Sequence, residues 1–158
     1  MPTLPPRPTP LTEQASALVA EIERTLAEGQ AQLRALGLDP QKVRDLGATG
    51  IIATVAASGL RGQGGAGFPA GEKWRAAGAQ PASQRYVIAN GYGADPAVRV
   101  DQALLAADPW SVIEGLAIAA FAVGATEAIL AVRADDPSLV TLLEGAVLAA
   151  EEAGFLGD

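Results

Sequence analysis

The chain of 158 residues is 49% hydrophobic and 18% charged, which makes it globular, with length for one domain and a sizeable core. Its net charge of −7 makes nucleic acid and anionic membrane poor partners for the surface as a whole, while leaving room for a local cationic pocket that takes a small anion. Cysteine and histidine are both absent, which excludes disulfides, cysteine-held iron–sulfur clusters and nucleophilic catalysis of the Ser–His or Cys–His kind, and argues against zinc.

Residues 1–10, with Pro2, Pro5, Pro6, Pro8 and Pro10, read as an extended, solvated arm. They hold no apolar core of signal-peptide type, and no run is long enough to span a bilayer. Val112 to Val123 comes nearest but contains Glu114. A cytoplasmic protein is expected. Residues 11–57 read as N-terminal helices. Thr12 is the N-cap of the first, with Leu18, Val19, Ile22, Leu26, Leu33 and Leu36 at helical spacing and Gly37 as C-terminal cap. Asp39-Pro40 starts the second, with Val43, Leu46, Ile51, Ile52 and Val55 as its buried face. Gly47 and Gly50 are where it would break.

The stretch from Ser58 to Trp74 then carries Gly59, Gly62, Gly64, Gly65, Gly67 and Gly71 between two cations, Arg61 and Lys73. Glycine lets backbone amides turn inward with positive φ and approach a ligand closely. Successive amides so arranged form a concave anion site, and flanking cations suit a phosphate. Gly62-Gln-Gly-Gly-Ala-Gly67 also fits a loose G-x-G-x-x-G pattern. A dinucleotide fingerprint needs a strand directly before it, and Ile51 to Leu60 reads as the end of a helix. The stretch is therefore expected to be a long loop, nucleotide-facing but of another kind, with a plain surface loop as the alternative.

Arg85 to Asn90 reads as a short, buried, parallel strand. Ligands of open α/β sheets sit beyond the carboxyl ends of strands, so Asn90 stands either as a ligand-contacting amide or as a turn-former before Gly91. Asp101 to Ala107 reads as a short helix. Asp108-Pro109 caps a longer, buried one running to Val123. Glu127 to Arg133 is the second strand. Asp136-Pro137-Ser138 opens the last helix, Leu139 to Ala153, with Leu139, Leu142, Leu143, Val147 and Leu148 as its apolar face. The fold class is thus α/β: N-terminal helices, a glycine-rich loop, then over the rest of 58–158 a β-α-β-α unit with a small parallel sheet. The second strand has an edge that wants covering, by the N-terminal helices or by another chain.

The ordered run from Ser58 to Trp74 resembles the flavin loop of the NADH-binding flavoprotein subunit of respiratory complex I, shared by the diaphorase subunits of NAD-dependent formate dehydrogenases and NAD-reducing hydrogenases. Asp108 to Ala125 is similar to that family's helix after its first strand, and Gly154-Phe-Leu-Gly157 to the segment closing its next helix. The likeness covers residues 40–158. It implies a partial, Rossmann-like FMN domain with NADH stacked over the flavin. By position, Arg61, Gly62, Gln63, Gly64, Gly65, Lys73 and Asn90 would hold FMN, and Phe68 and Asp95 would meet NADH.

Departures stand beside the matches. Gln63 replaces the family's arginine, Ala76 replaces an aromatic residue, and of the acidic cluster after the strand asparagine only Asp95 keeps a carboxylate. The family's later strands and its cysteine-rich domain have no counterpart in this sequence, and without cysteine no cluster here can take electrons from a flavin. The resemblance therefore implies the FMN- and NADH-binding module of an NADH:acceptor oxidoreductase, working with other subunits of a redox complex, among them a cluster-bearing chain. The alternatives are a non-catalytic structural or assembly subunit derived from that domain, and a small-anion or nucleotide-binding module without a redox role.

Overall fold

The computed structural model describes residues 40–63, 65–93 and 99–157. The proline arm, the helix expected from Thr12, Gly64 and Asp95 lie outside the described residues. Helix α1 (Pro40–Ala57) is followed by the glycine loop, helix α2 (Ala70–Gly78) and strand β1 (Tyr86–Gly91). Helices α3 (Val100–Ala107) and α4 (Pro109–Val123), strand β2 (Glu127–Val132) and helix α5 (Pro137–Glu152) complete the order. The strands are parallel, in register from Tyr86 opposite Glu127 to Gly91 opposite Val132.

Two helix starts follow side-chain caps. Asp108 accepts the Ser111 N–H at 3.1 Å ahead of Pro109, and Asp136 accepts the Leu139 N–H at 3.1 Å ahead of Pro137. Each satisfies a first-turn amide that the helix leaves without a partner. α4 closes on Gly124 in the left-handed conformation, φ +65°. α1 does break at Gly47, whose φ of 62° and ψ of 173° suit only glycine. That break turns the preceding piece, so Ile51 is buried while Leu46, expected on the same face, is exposed.

α1 and α2 pack on each other and on α4, and α4 packs on both strands. Gly71 makes the first contact possible, because a Cβ there would lie 2.6 Å from Ala56 Cα. One core cluster joins Leu105, Leu139 and Leu143 with Leu130 and Val132 of β2; another joins Ile113, Ala146 and Ala150 with Trp110. Along α5 the residues at 139, 143, 146 and 150 keep one stripe inward, so Leu148, off that phase, is exposed rather than buried.

Strand side chains alternate between faces. Leu130 and Val132 reach the core, while the other face exposes Tyr86, Ile88 and Ile129. β1 is therefore parallel but not buried on both sides, a correction to the sequence reading: among the described residues helices cover only one face. Arg85 closes the strand's start. Its guanidinium donates to Gly78 O at 3.3 Å, Gln80 O at 2.6 Å and Gly124 O at 3.5 Å, tying the ends of α2 and α4 to β1. Among the described residues no single helix is long and apolar enough to cross a membrane.

Partial burial, then the nearby Asp108 charge, push the Glu114 carboxyl on α4 above its ordinary value. The folded state therefore holds this proton to higher pH than the unfolded chain does. The stability it contributes is full below the ordinary carboxylate value and is lost as pH rises through the raised one. Glu114→Gln should flatten the fall in stability as pH rises above the ordinary glutamate value, as urea melts across acidic pH will show; an unchanged slope would refute the assignment.

Candidate functional site

The glycine stretch is not one long loop. α1 ends in a turn in which Ser58 Oγ donates to Val55 O at 2.8 Å and Gly59 takes φ +71°. The chain then folds back on itself. Gly62 N–H donates to Phe68 O at 2.9 Å and Ala70 N–H to Leu60 O at 2.9 Å, around an antiparallel bridge between Arg61 and Pro69. Arg61 Nη1 donates to Gly67 O at 2.8 Å across the neck. Ala70 onwards is helix, where the sequence reading has loop to Trp74. Pro69 fixes the entry, and Glu72, Lys73, Arg75, Ala76 and Ala77 are all good helix formers.

At the tip, Gly65 and Gly67 have φ of 92° and 56°, and a Cβ on either would meet nothing within 4 Å. The N–H groups of Gln63, Gly65, Ala66, Gly67 and Phe68 have no partner among the described residues, whereas that of Gly62 is already taken. Lys73 is exposed one turn into α2, and the neighbouring carboxylate of Glu72 is paired with Arg75 at 2.5 Å. Phe68 is 57% exposed. Open amides, a helix N-terminus and a cation outside any ion pair among the described residues form a donor set that fits an anionic group such as a phosphate.

Asn90 lies at the carboxyl end of β1, in a second group. Its Oδ1 accepts the Tyr92 N–H at 3.1 Å, so it is a turn-former here. Gln102 Nε2 donates to Tyr92 O at 3.3 Å, and Arg133 sits over the Tyr92 ring, 5.5 Å from its centroid. Arg133 Nε donates to Asp135 Oδ1 at 2.9 Å. The hydrogen bond from Arg133 holds the Asp135 carboxyl below its ordinary value. Sequence reasoning missed Tyr92, Gln102, Arg133 and Asp135. The signal was available, since Arg133 is the first residue past β2, where the carboxyl-end rule looks for ligands. No hydrogen bond joins this group to the glycine loop among the described residues.

Residues 55–156 match the family described as the Nuo51 FMN-binding domain. The chain belongs to the Nuo51 FMN-binding family. It is 41% identical over 131 residues to the HndC subunit of the NADP-reducing hydrogenase of Solidesulfovibrio fructosivorans, covering 83% of this chain and 24% of that protein. It is 38% identical over 141 residues to a subunit of the NADH-quinone oxidoreductase of Aquifex aeolicus, covering 88% and 31%. A crystal structure of an NAD+-reducing NiFe-hydrogenase in the air-oxidized state superposes with a TM-score of 0.62 and 32% identity, over 75% of this chain and 22% of that one. The α/β architecture is thus that of a Nuo51-type domain, and the chain spans 24% and 31% of the length of the two relatives. Relatives of both kinds are named as subunits, one of a hydrogenase and one of a quinone oxidoreductase.

Proposed function

We propose that this chain is the FMN- and NADH-binding module of an NADH:acceptor oxidoreductase, acting inside a cytoplasmic redox complex whose other subunits, a cluster-bearing chain among them, supply the onward electron path. The observation that carries this is the closed glycine hairpin with open amides at its tip, followed by α2 with exposed Lys73 near its start. Bound FMN would supply the acceptor for a hydride. The chain's own part is to bind and orient. Gln63, Gly65 and Lys73 would face the phosphate end, with Arg61 bracing the neck; Gly64 is assigned to the same end by its place in the sequence alone. Gly62 contributes close backbone approach rather than a donor, because its N–H is spent on Phe68 O. Asn90 lies at the strand end, exposed Phe68 would serve NADH, and Asp95 is assigned to NADH by its place in the sequence alone.

The test is a visible spectrum and an FMN titration of the untagged protein. Saturable binding is expected, weakened about tenfold by Lys73→Ala through loss of a charge-assisted contact. It should also weaken as salt rises. A wild type that binds no FMN would overturn the proposal. The exposed apolar sheet face favours a second reading, a non-catalytic structural or assembly piece. Co-purification with a cluster-bearing partner, without any flavin, would select it.

A further inference from the structure

The two strands end level, with Gly91 opposite Val132, so the chain leaves the sheet side by side at Tyr92 and Arg133. An exposed tyrosine at such a place is commonly only surface. Three features set this one apart. Its backbone is held on both sides, by Asn90 Oδ1 on its N–H and Gln102 Nε2 on its carbonyl. One face of its ring is occupied by the Arg133 guanidinium, itself anchored by Asp135. More than half of the residue, 53%, nevertheless remains exposed. Gly93 follows with φ +58°, a left-handed backbone that suits glycine. The result is an aromatic plane fixed in position and open to solvent, beyond the carboxyl ends of both strands, where open α/β sheets take their ligands.

We propose that Tyr92 is a stacking platform for the planar heteroaromatic ring of the bound nucleotide, with Arg133 on the reverse face holding the plane of the phenol. The inference rests on the flavin- and NADH-binding reading above and adds to it a second aromatic residue, at the carboxyl end of the sheet, beside Phe68 of the glycine stretch. Ring-on-ring stacking tolerates any flat base, because each presents a π-face. The ring of FMN and a ring of NADH are therefore both candidates by chemistry, and titration separates them. A platform held in place loses little freedom when the ligand arrives, so its effect appears in affinity.

The experiment compares wild type with Y92F, Y92L and Y92N. Circular dichroism and thermal melts of each variant come first; Y92N serves if Y92L fails to fold. FMN is titrated by its fluorescence, NADH by its own, and AMP is tested as a competitor. Y92F should bind within about twofold of wild type, while Y92L and Y92N weaken one ligand by about tenfold or more. Loss confined to FMN assigns the flavin ring. Loss confined to NADH assigns the dinucleotide, and AMP competition lost with it assigns the adenine. At saturating FMN a stacked phenol should quench flavin emission, and Y92L should restore it. Wild-type affinities in both Y92L and Y92N would overturn the platform and leave the FMN reading standing. No binding of either nucleotide by the wild type would overturn both.

Discussion

Gly71→Ala lowers stability by about 3 kcal/mol, seen as a fall in the melting midpoint of roughly 10 °C. The reason is the crossing of α1 and α2. A methyl at position 71 would lie 2.6 Å from Ala56 Cα and 2.7 Å from Ala56 N, and both are backbone atoms that no rotamer change can move. The helices must separate, and the separation spreads to α4, on which both pack. Helix propensity works the other way, since alanine is better than glycine by about 1 kcal/mol in a helix interior. Position 71 is in the first turn of α2, so even that gain is not fully available. The two effects differ in sign, which makes the measurement decisive. A neutral or raised melting midpoint would mean that the helices do not approach as closely as the structure has them.

Arg85→Ala should cost about 2 kcal/mol. Of its three bonds the one to Gln80 O, at 2.6 Å, is short and charge-assisted, while those to Gly78 O and Gly124 O are longer. The carbonyls at the ends of α2 and α4 also carry the negative end of each helix dipole, which a guanidinium suits. Arg85→Lys should recover less than half, because one ammonium cannot fork to three acceptors. Hydrogen exchange at the start of β1 should rise in the alanine variant, and full recovery by lysine would show that charge alone matters. Arg85 lies outside the glycine stretch and α2, so its effect on FMN should follow stability rather than contact.

Much of this fold can be read from residue types. Asp108-Pro109 and Asp136-Pro137 announce two helix starts because a carboxylate and a fixed φ do the same work wherever they occur. Gly47 announces the break in α1. Helix α2 is harder to see, since Gly71 looks like loop until the close approach of Ala56 explains it. Exposed Ile88 misleads in the other direction. A strand of its composition is ordinarily covered on both faces, and no local pattern tells how many neighbours a sheet has. In the candidate site, the glycines at 65 and 67 are legible as open amides, but the neck bond that consumes the Gly62 N–H is not. Tyr92 and Arg133 meet only because two strands distant in sequence end at one level.

That shared level also makes the sheet a ruler. Sliding β2 past β1 by one residue would turn Leu130 outward and Ala131 inward, emptying the aliphatic cluster around Leu105 and Leu139. The same slide would part the tyrosine ring from its guanidinium. Any substitution that disturbs strand alignment is therefore reported at the mouth of the sheet, where the loss of that single cation–ring contact is its first visible sign.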